Sequence, residues 1–153
     1  MKTKKLFLKR SLIIISALML STGIFSSKAQ SRLEKKNIEI VKQFEDEFKN
    51  KANVNIVDEL MSEDFVLNTI FPGNPQARDG MKSIGQAVFS MISDIKVEIV
   101  FIIADGDLVA NRVQAKGNHK ESGKELSWTE NHFYKIKDGK ITEWWGEGAP
   151  NLN

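Results

Sequence analysis

An α+β domain, with helices gathered on one side of a curved antiparallel meander, is the fold class this sequence predicts. Three observations carry it. Apolar residues recur at helical spacing in two segments ahead of Ile95, 32–51 and 79–92. From Ile95 onward the period changes to that of β-strands. Asp138-Gly139 then stands between two such segments as a hairpin turn. Helices followed by a run of strands is the α+β order, not the alternation that builds a parallel sheet.

The chain opens on a segment that is read separately. Lys2, Lys4, Lys5, Lys9 and Arg10 form a positive head, and Leu12 to Leu20 is almost wholly apolar. Ser27-Lys28-Ala29 then places small residues two apart. Head, apolar run and small-residue exit make a secretory signal peptide over 1–29, with cleavage after Ala29 and an exported product, periplasmic or secreted. The dense apolar stretch is shorter than the roughly 20 residues of a spanning helix. Retention as an N-terminal anchor is the alternative. Residues 30–148 form one domain and 149–153 a loose tail.

Charge is judged on the mature part. The whole chain has 22 basic and 20 acidic residues, a formal charge of +2. Residues 1–29 hold six of the basic residues and no acid, so the remainder has 22 − 6 = 16 basic against 20 acidic, four negative charges net. A mildly acidic domain has no electrostatic footprint for nucleic acid or for an anionic membrane surface. There is no cysteine, which excludes disulfides, thiolate nucleophiles and zinc–thiolate sites. Stability must then come from the hydrophobic core.

Along the domain, Arg32 to Lys51 reads as a helix, with Leu33, Ile40, Val41, Phe44 and Phe48 at helical spacing. Asn55 is expected to cap a short second helix carrying Ile56, Val57, Leu60 and Met61. Phe65 to Ile70 reads as a short strand and Phe71-Pro72-Gly73-Asn74-Pro75 as a turn-rich loop. Asp79 is expected to cap a third helix with Met81, Ile84, Val88, Met91 and Ile92 on one side. The meander follows as Val97–Ala104, Leu108–His119, Glu125–Lys137 and Lys140–Glu147.

Several of these segments resemble one family. Asn55 through Phe65 is similar to the second-helix motif of SnoaL-like proteins, and Ala77-Arg78-Asp79-Gly80 to their entry to the third helix. Ala104 to Val109, Gly117-Asn118-His119 and His132 to Trp145 resemble their hairpins, and the resemblance covers nearly all of 30–147. It implies an NTF2-like cone, a curved antiparallel sheet wrapped around helices with an apolar pocket in its mouth. The family includes cofactor-free polyketide ester cyclases, in which a pocket Asp directly after the last-strand Trp acts as the base and a His lies near it. Here His132 stands at the His position, but Gly146 stands at the Asp position. Glycine cannot move a proton, so the cyclase mechanism does not transfer unchanged.

Ring closure of this type needs a base for an activated carbon and a donor for the enolate oxygen; a carboxylate in an apolar cavity gains basicity. Trp128, Glu130, His132 and Tyr134 alternate onto one face of their strand. Glu130 and His132 are therefore a candidate acid–base pair. A two-residue turn at Asp138-Gly139 would pair Glu130 with Glu147, making Glu147 a replacement base. A bulge would instead set His132 opposite Gly146 and face Glu147 the other way. Both registers remain open to the sequence. Trp128, Tyr134, Trp145, His119 and Phe71 are the expected pocket lining.

His119 and His132 lie on different strands without metal-ligand spacing, so neither a metal nor another cofactor is expected. Three functions fit. The first is cofactor-free proton transfer on a small apolar carbonyl compound, by an enzyme of cyclase or isomerase type. The second is a non-catalytic domain that binds a small apolar ligand. The third is a homodimer-forming module.

Overall fold

The computed structural model describes residues 32–68 and 77–151. The expected signal segment, Ile70 and Phe71 lie outside the described residues. Of the two units of the chain, Met1–Leu33 and Glu34–Asn153, the second holds the sheet and the cavity. Helix α1 runs over 32–45 and continues as a π-helical turn, Asp46–Asn50. It is followed by α2 (Ile56–Leu60), β1 (Met61–Leu67) and α3 (Arg78–Met91). The meander is β2 (Ile92–Asp105), β3 (Leu108–His119), β4 (Glu125–Lys137) and β5 (Lys140–Glu147).

The strands form one five-stranded sheet in the order β1-β5-β4-β3-β2. The meander strands pair antiparallel, each with the next, and β1 adds to β5 in parallel. Asp138 and Gly139 both take positive φ, 51° and 78°, which is the left-handed pair a two-residue hairpin turn requires. Register slips at Ser93/Lys96, Ile99/Phe101 and Lys135/Ile136 bend the sheet. The result is the curved, unclosed sheet of an NTF2-like cone.

Strand alternation sends one set of residues inward. Val109, Asn111, Val113 and Ala115 of β3 are buried, as are Leu126, Trp128, His132, Tyr134 and Ile136 of β4. The helices cover this face with Val41, Phe44 and Phe48 of α1, Ile56 and Val57 of α2, and Met81 of α3. Phe44 and Phe48 stack with ring centroids 5.0 Å apart, and Phe44 meets Tyr134 edge-on at 6.1 Å. The other face leaves Phe101, Ile103, Leu108 and Phe133 exposed.

Several element boundaries differ from the sequence reading. β1 starts at Met61, which the sequence placed on the second helix, and not at Phe65. Asn55 does not cap α2: it has helical φ and ψ, and its N–H donates to Oδ1 of Asn53 instead. Asp79 lies in the first turn of α3 rather than before it, where its charge still complements the helix dipole. The first meander strand starts at Ile92, not near Val97, because Ile92 and Ile95 are buried against Val113, Ala115 and Leu126.

Candidate functional site

Helix α1 places charge on its inward face. Val41, Phe44 and Phe48 are core residues, and Glu45 and Lys49 continue the same i, i+3, i+4, i+7, i+8 stripe. Glu45 is 2 % exposed. Opposite it, β4 presents Trp128, Glu130, His132 and Tyr134.

These residues form one connected network. His132 Nδ1 lies 2.9 Å from Glu45 Oε1, and His132 Nε2 lies 3.0 Å from Glu130 Oε2. The Lys49 ammonium contacts Glu130 and lies 3.4 Å from Glu45 Oε2, so it bridges the two carboxylates. Tyr134 Oη donates to Glu45 Oε1 at 2.6 Å, and Asn111 Nδ2 donates to the same oxygen at 2.8 Å. Trp128 Nε1 donates to Glu130 Oε1 at 2.6 Å. A buried carboxylate is tolerable only when it is paired and hydrogen-bonded, and both carboxylates here meet that condition.

The protonation energetics follow from the same contacts. Burial alone pushes the Glu45 carboxyl up, but Lys49, then His132 and Tyr134, outweigh it and hold the group far below the carboxylate range. Burial likewise opposes the Glu130 charge, and Lys49 and His132 bring its pKa down to about 2. Burial works to discharge Lys49, while Glu45 and Glu130 raise it above its ordinary value. Burial and then the Glu45 charge push the Tyr134 phenol up, so it stays a donor.

A cavity of about 280 Å³ opens beside this network. Lys49, Glu130 and His132 form its polar end, and Phe44, Phe48, Met81, Val88, Phe89, Trp128 and Trp144 its apolar walls. Gly148, Ala149 and Pro150 stand at its rim.

The register places the remaining candidates. Ile136 pairs with Ile141 and Lys135 with Glu143, so Thr142 is the extra residue of a bulge. His132 therefore faces Gly146, and Glu147 pairs with Asn131 on the opposite parity. Glu147 is exposed at the rim and does not stand beside Glu130 as the tight-turn register would require. Trp144, not Trp145, lines the cavity. Trp145 borders a depression on the other side of the sheet with Phe133 and Leu108, since neighbouring strand residues point to opposite faces. Tyr134 is fully buried behind the cavity with its hydroxyl on Glu45. His119 ends β3 away from the network, with Nδ1 2.9 Å from Oγ of Ser122.

Glu45, Lys49 and Asn111 escaped the sequence reading. The signal was available for two of them. An acid and a lysine at stripe positions of an amphipathic helix imply partners across the core. Among the described residues no group of three ligating side chains could hold a metal ion.

No curated protein matches the chain. Solved structures do. A Bacillus cereus ATCC 10987 protein assigned to the polyketide cyclases is 25% identical, with a TM-score of 0.68 and 74% of each chain covered. IdmH from Streptomyces antibioticus, likewise assigned, is 24% identical with a TM-score of 0.65, covering 73% of this chain and 91% of IdmH. TsrD from Streptomyces laurentii shares the fold at 16% identity and a TM-score of 0.66, covering 74% of this chain and 88% of TsrD. Residues 39–148 match the SnoaL-like polyketide cyclase family, and the chain belongs to that family.

Proposed function

We propose that this protein carries out cofactor-free proton transfer on a small apolar carbonyl compound held in the cavity. The observation that carries this reading is the line Glu45–His132–Glu130, which ends in an otherwise apolar cavity beside the Lys49 ammonium. Glu45 fixes the imidazole at Nδ1 and leaves Nε2 toward Glu130 and the cavity. Glu130 and His132 act as one acid–base pair.

Glu130 is a weak base while Lys49 lies on it. A bound carbonyl oxygen competes for the ammonium. When Lys49 turns to that oxygen, Glu130 loses the largest of the charges that depress its pKa; burial, now opposed by His132 without Lys49, moves it back up. Glu130 accepts the proton from the carbon next to the carbonyl. The electron pair moves onto the oxygen, where Lys49 stabilises the enolate. Return of the proton from the Glu130–His132 pair at another carbon gives an isomerisation. Attack of the enolate carbon on an internal carbonyl closes a ring instead; that carbonyl's π pair moves onto its oxygen, and the alkoxide takes the proton from the Glu130–His132 pair.

The test is α-proton exchange. A neutral ketone such as 1-tetralone is incubated with the protein in D2O and its deuteration followed by NMR. The expected outcome is exchange above the buffer rate, reduced at least tenfold in Glu130→Gln and in His132→Ala. Equal exchange in both variants and the wild type would remove the acid–base assignment.

One observation favours a second reading. Every ionised group of the network already has a partner, and Gly146 supplies no base. A non-catalytic binding domain for a small apolar ligand would show ligand uptake with exchange at the buffer rate. Two further parts of the proposal concern the protein's setting. The signal-like 1–29 segment supports export. Exposed Ile103 and Phe133, in one row with Trp145, support a homodimer through the open sheet face.

A further inference from the structure

We infer that Trp144, admitted by the bare backbone of Gly146, limits this cavity to neutral ligands of one or two rings. A β-carbon built on Gly146 would lie 2.2 and 2.3 Å from Cη2 and Cζ2 of Trp144, and 3.0 Å from Cδ2 of His132. The benzo edge of the indole thus rests against the Gly146 backbone, where any other residue would project a side chain. From there it reaches His132, with ring centroids 5.3 Å apart and planes at 34°. The residue that replaces an acid in this chain is therefore what makes room for a cavity wall.

That wall sets the size of the space left over. About 280 Å³ remains between Trp144, Trp128 and the aromatic residues of α1 and α3. Ligand sites commonly run from about 300 to 1,000 Å³, so this one lies at the small end. The indole stands at the polar end, against His132, so a fused three- or four-ring ligand that brought its carbonyl to Lys49 would press its far rings on that wall.

Charge narrows the class further. Among the described residues, Lys49 is the only lysine or arginine lining the cavity, and it already faces Glu45 and Glu130. A ligand carboxylate would bring a third negative group to one ammonium in a water-poor end. A neutral carbonyl meets no such repulsion.

This inference rests on the reading of the cavity as a carbonyl site, and binding rather than turnover tests it. Calorimetric titration of the full chain with 1-tetralone, anthrone and a carboxylate-bearing tetralone provides the comparison. The wild type is expected to bind 1-tetralone at least tenfold more tightly than either of the others. Trp144→Ala is expected to erase the discrimination against anthrone and keep that against the carboxylate. Trp144→Phe, which keeps an aromatic wall, should fall between and serves if the alanine variant does not fold. The inference is overturned if the wild type binds anthrone or the carboxylate as tightly as 1-tetralone. It is also overturned if none of the three binds, or if the ring-count preference survives both substitutions. Loss of α-proton exchange with these preferences intact would remove the enzymatic reading and leave the size assignment standing.

Discussion

Oε1 of Glu45 lies 2.9 Å from Nδ1 of His132, joining helix α1 to strand β4 across the core. The same oxygen accepts from Tyr134 and Asn111 at 2.6 and 2.8 Å. Removing its charge would leave three donors without their acceptor in a dry setting, and the Lys49 ammonium with Glu130 as its one remaining partner. Breaking one partner out of a buried ion pair costs about 3–5 kcal/mol. Glu45→Ala should therefore lower unfolding free energy in urea by about that amount, with Glu45→Gln only modestly better. A loss below about 1 kcal/mol would show that the network contributes little to stability.

Tyr134→Phe separates support from chemistry. The phenol donates to an ionised acceptor, and such a bond contributes about 1.5–3 kcal/mol. The variant should unfold at correspondingly lower urea concentration. Tyr134 is fully buried and does not line the cavity, so 1-tetralone affinity should stay within about twofold of wild type. A large loss of affinity with unchanged stability would reverse the assignment of Tyr134 to the scaffold.

What the sequence made legible follows the strength of each local signal. β3, β4 and β5 have the bounds that alternation and Asp138-Gly139 dictate, because strand period and a two-residue turn are local properties. The start of β2 was not legible. α3 passes into it without a turn, and Ile92 fits a helix stripe as well as a strand face. Glu130 and His132 could be placed together because they lie two apart on one strand. Their partners Glu45 and Lys49 come from another layer; the helix stripe implies that each has a partner across the core, but no spacing rule says which residue it is. The Thr142 bulge was equally hidden, since one extra residue carries no composition of its own.

The pKa shift of Glu130 predicts a pH dependence with a definite sign. Its folded-state pKa is depressed to about 2, below the ordinary value of 4.5. A depressed acid contributes stability that is present above the ordinary pKa and is lost as pH falls through the folded one. At neutral pH the wild type should exceed Glu130→Gln by on the order of 2–3 kcal/mol. That gap should close between about pH 4.5 and about pH 2. Thermal unfolding of both proteins across this range measures it, and a gap that is constant with pH would contradict ion pairing at Glu130.

Gly146→Asp restores the family's acid at its sequence position, and it should not restore a base. The Asp β-carbon would meet the Trp144 ring at 2.2 Å, far inside contact distance. Either the indole moves or the strand does. Overpacking of this kind costs about 1–3 kcal/mol, and the new carboxylate would also face Glu130 across the polar end. The variant should melt lower than wild type and exchange α-protons no faster. The clash belongs chiefly to Trp144, so Gly146→Asp should cost less in a Trp144→Ala background than alone. His132 Cδ2, 3.0 Å from the same β-carbon, keeps that rescue incomplete. Thermal melts of the two single variants and the double variant supply the coupling, expected at about 1–2 kcal/mol. Strict additivity would mean that the indole does not occupy the space above Gly146 in solution, and the size limit argued for the cavity would lose its cause.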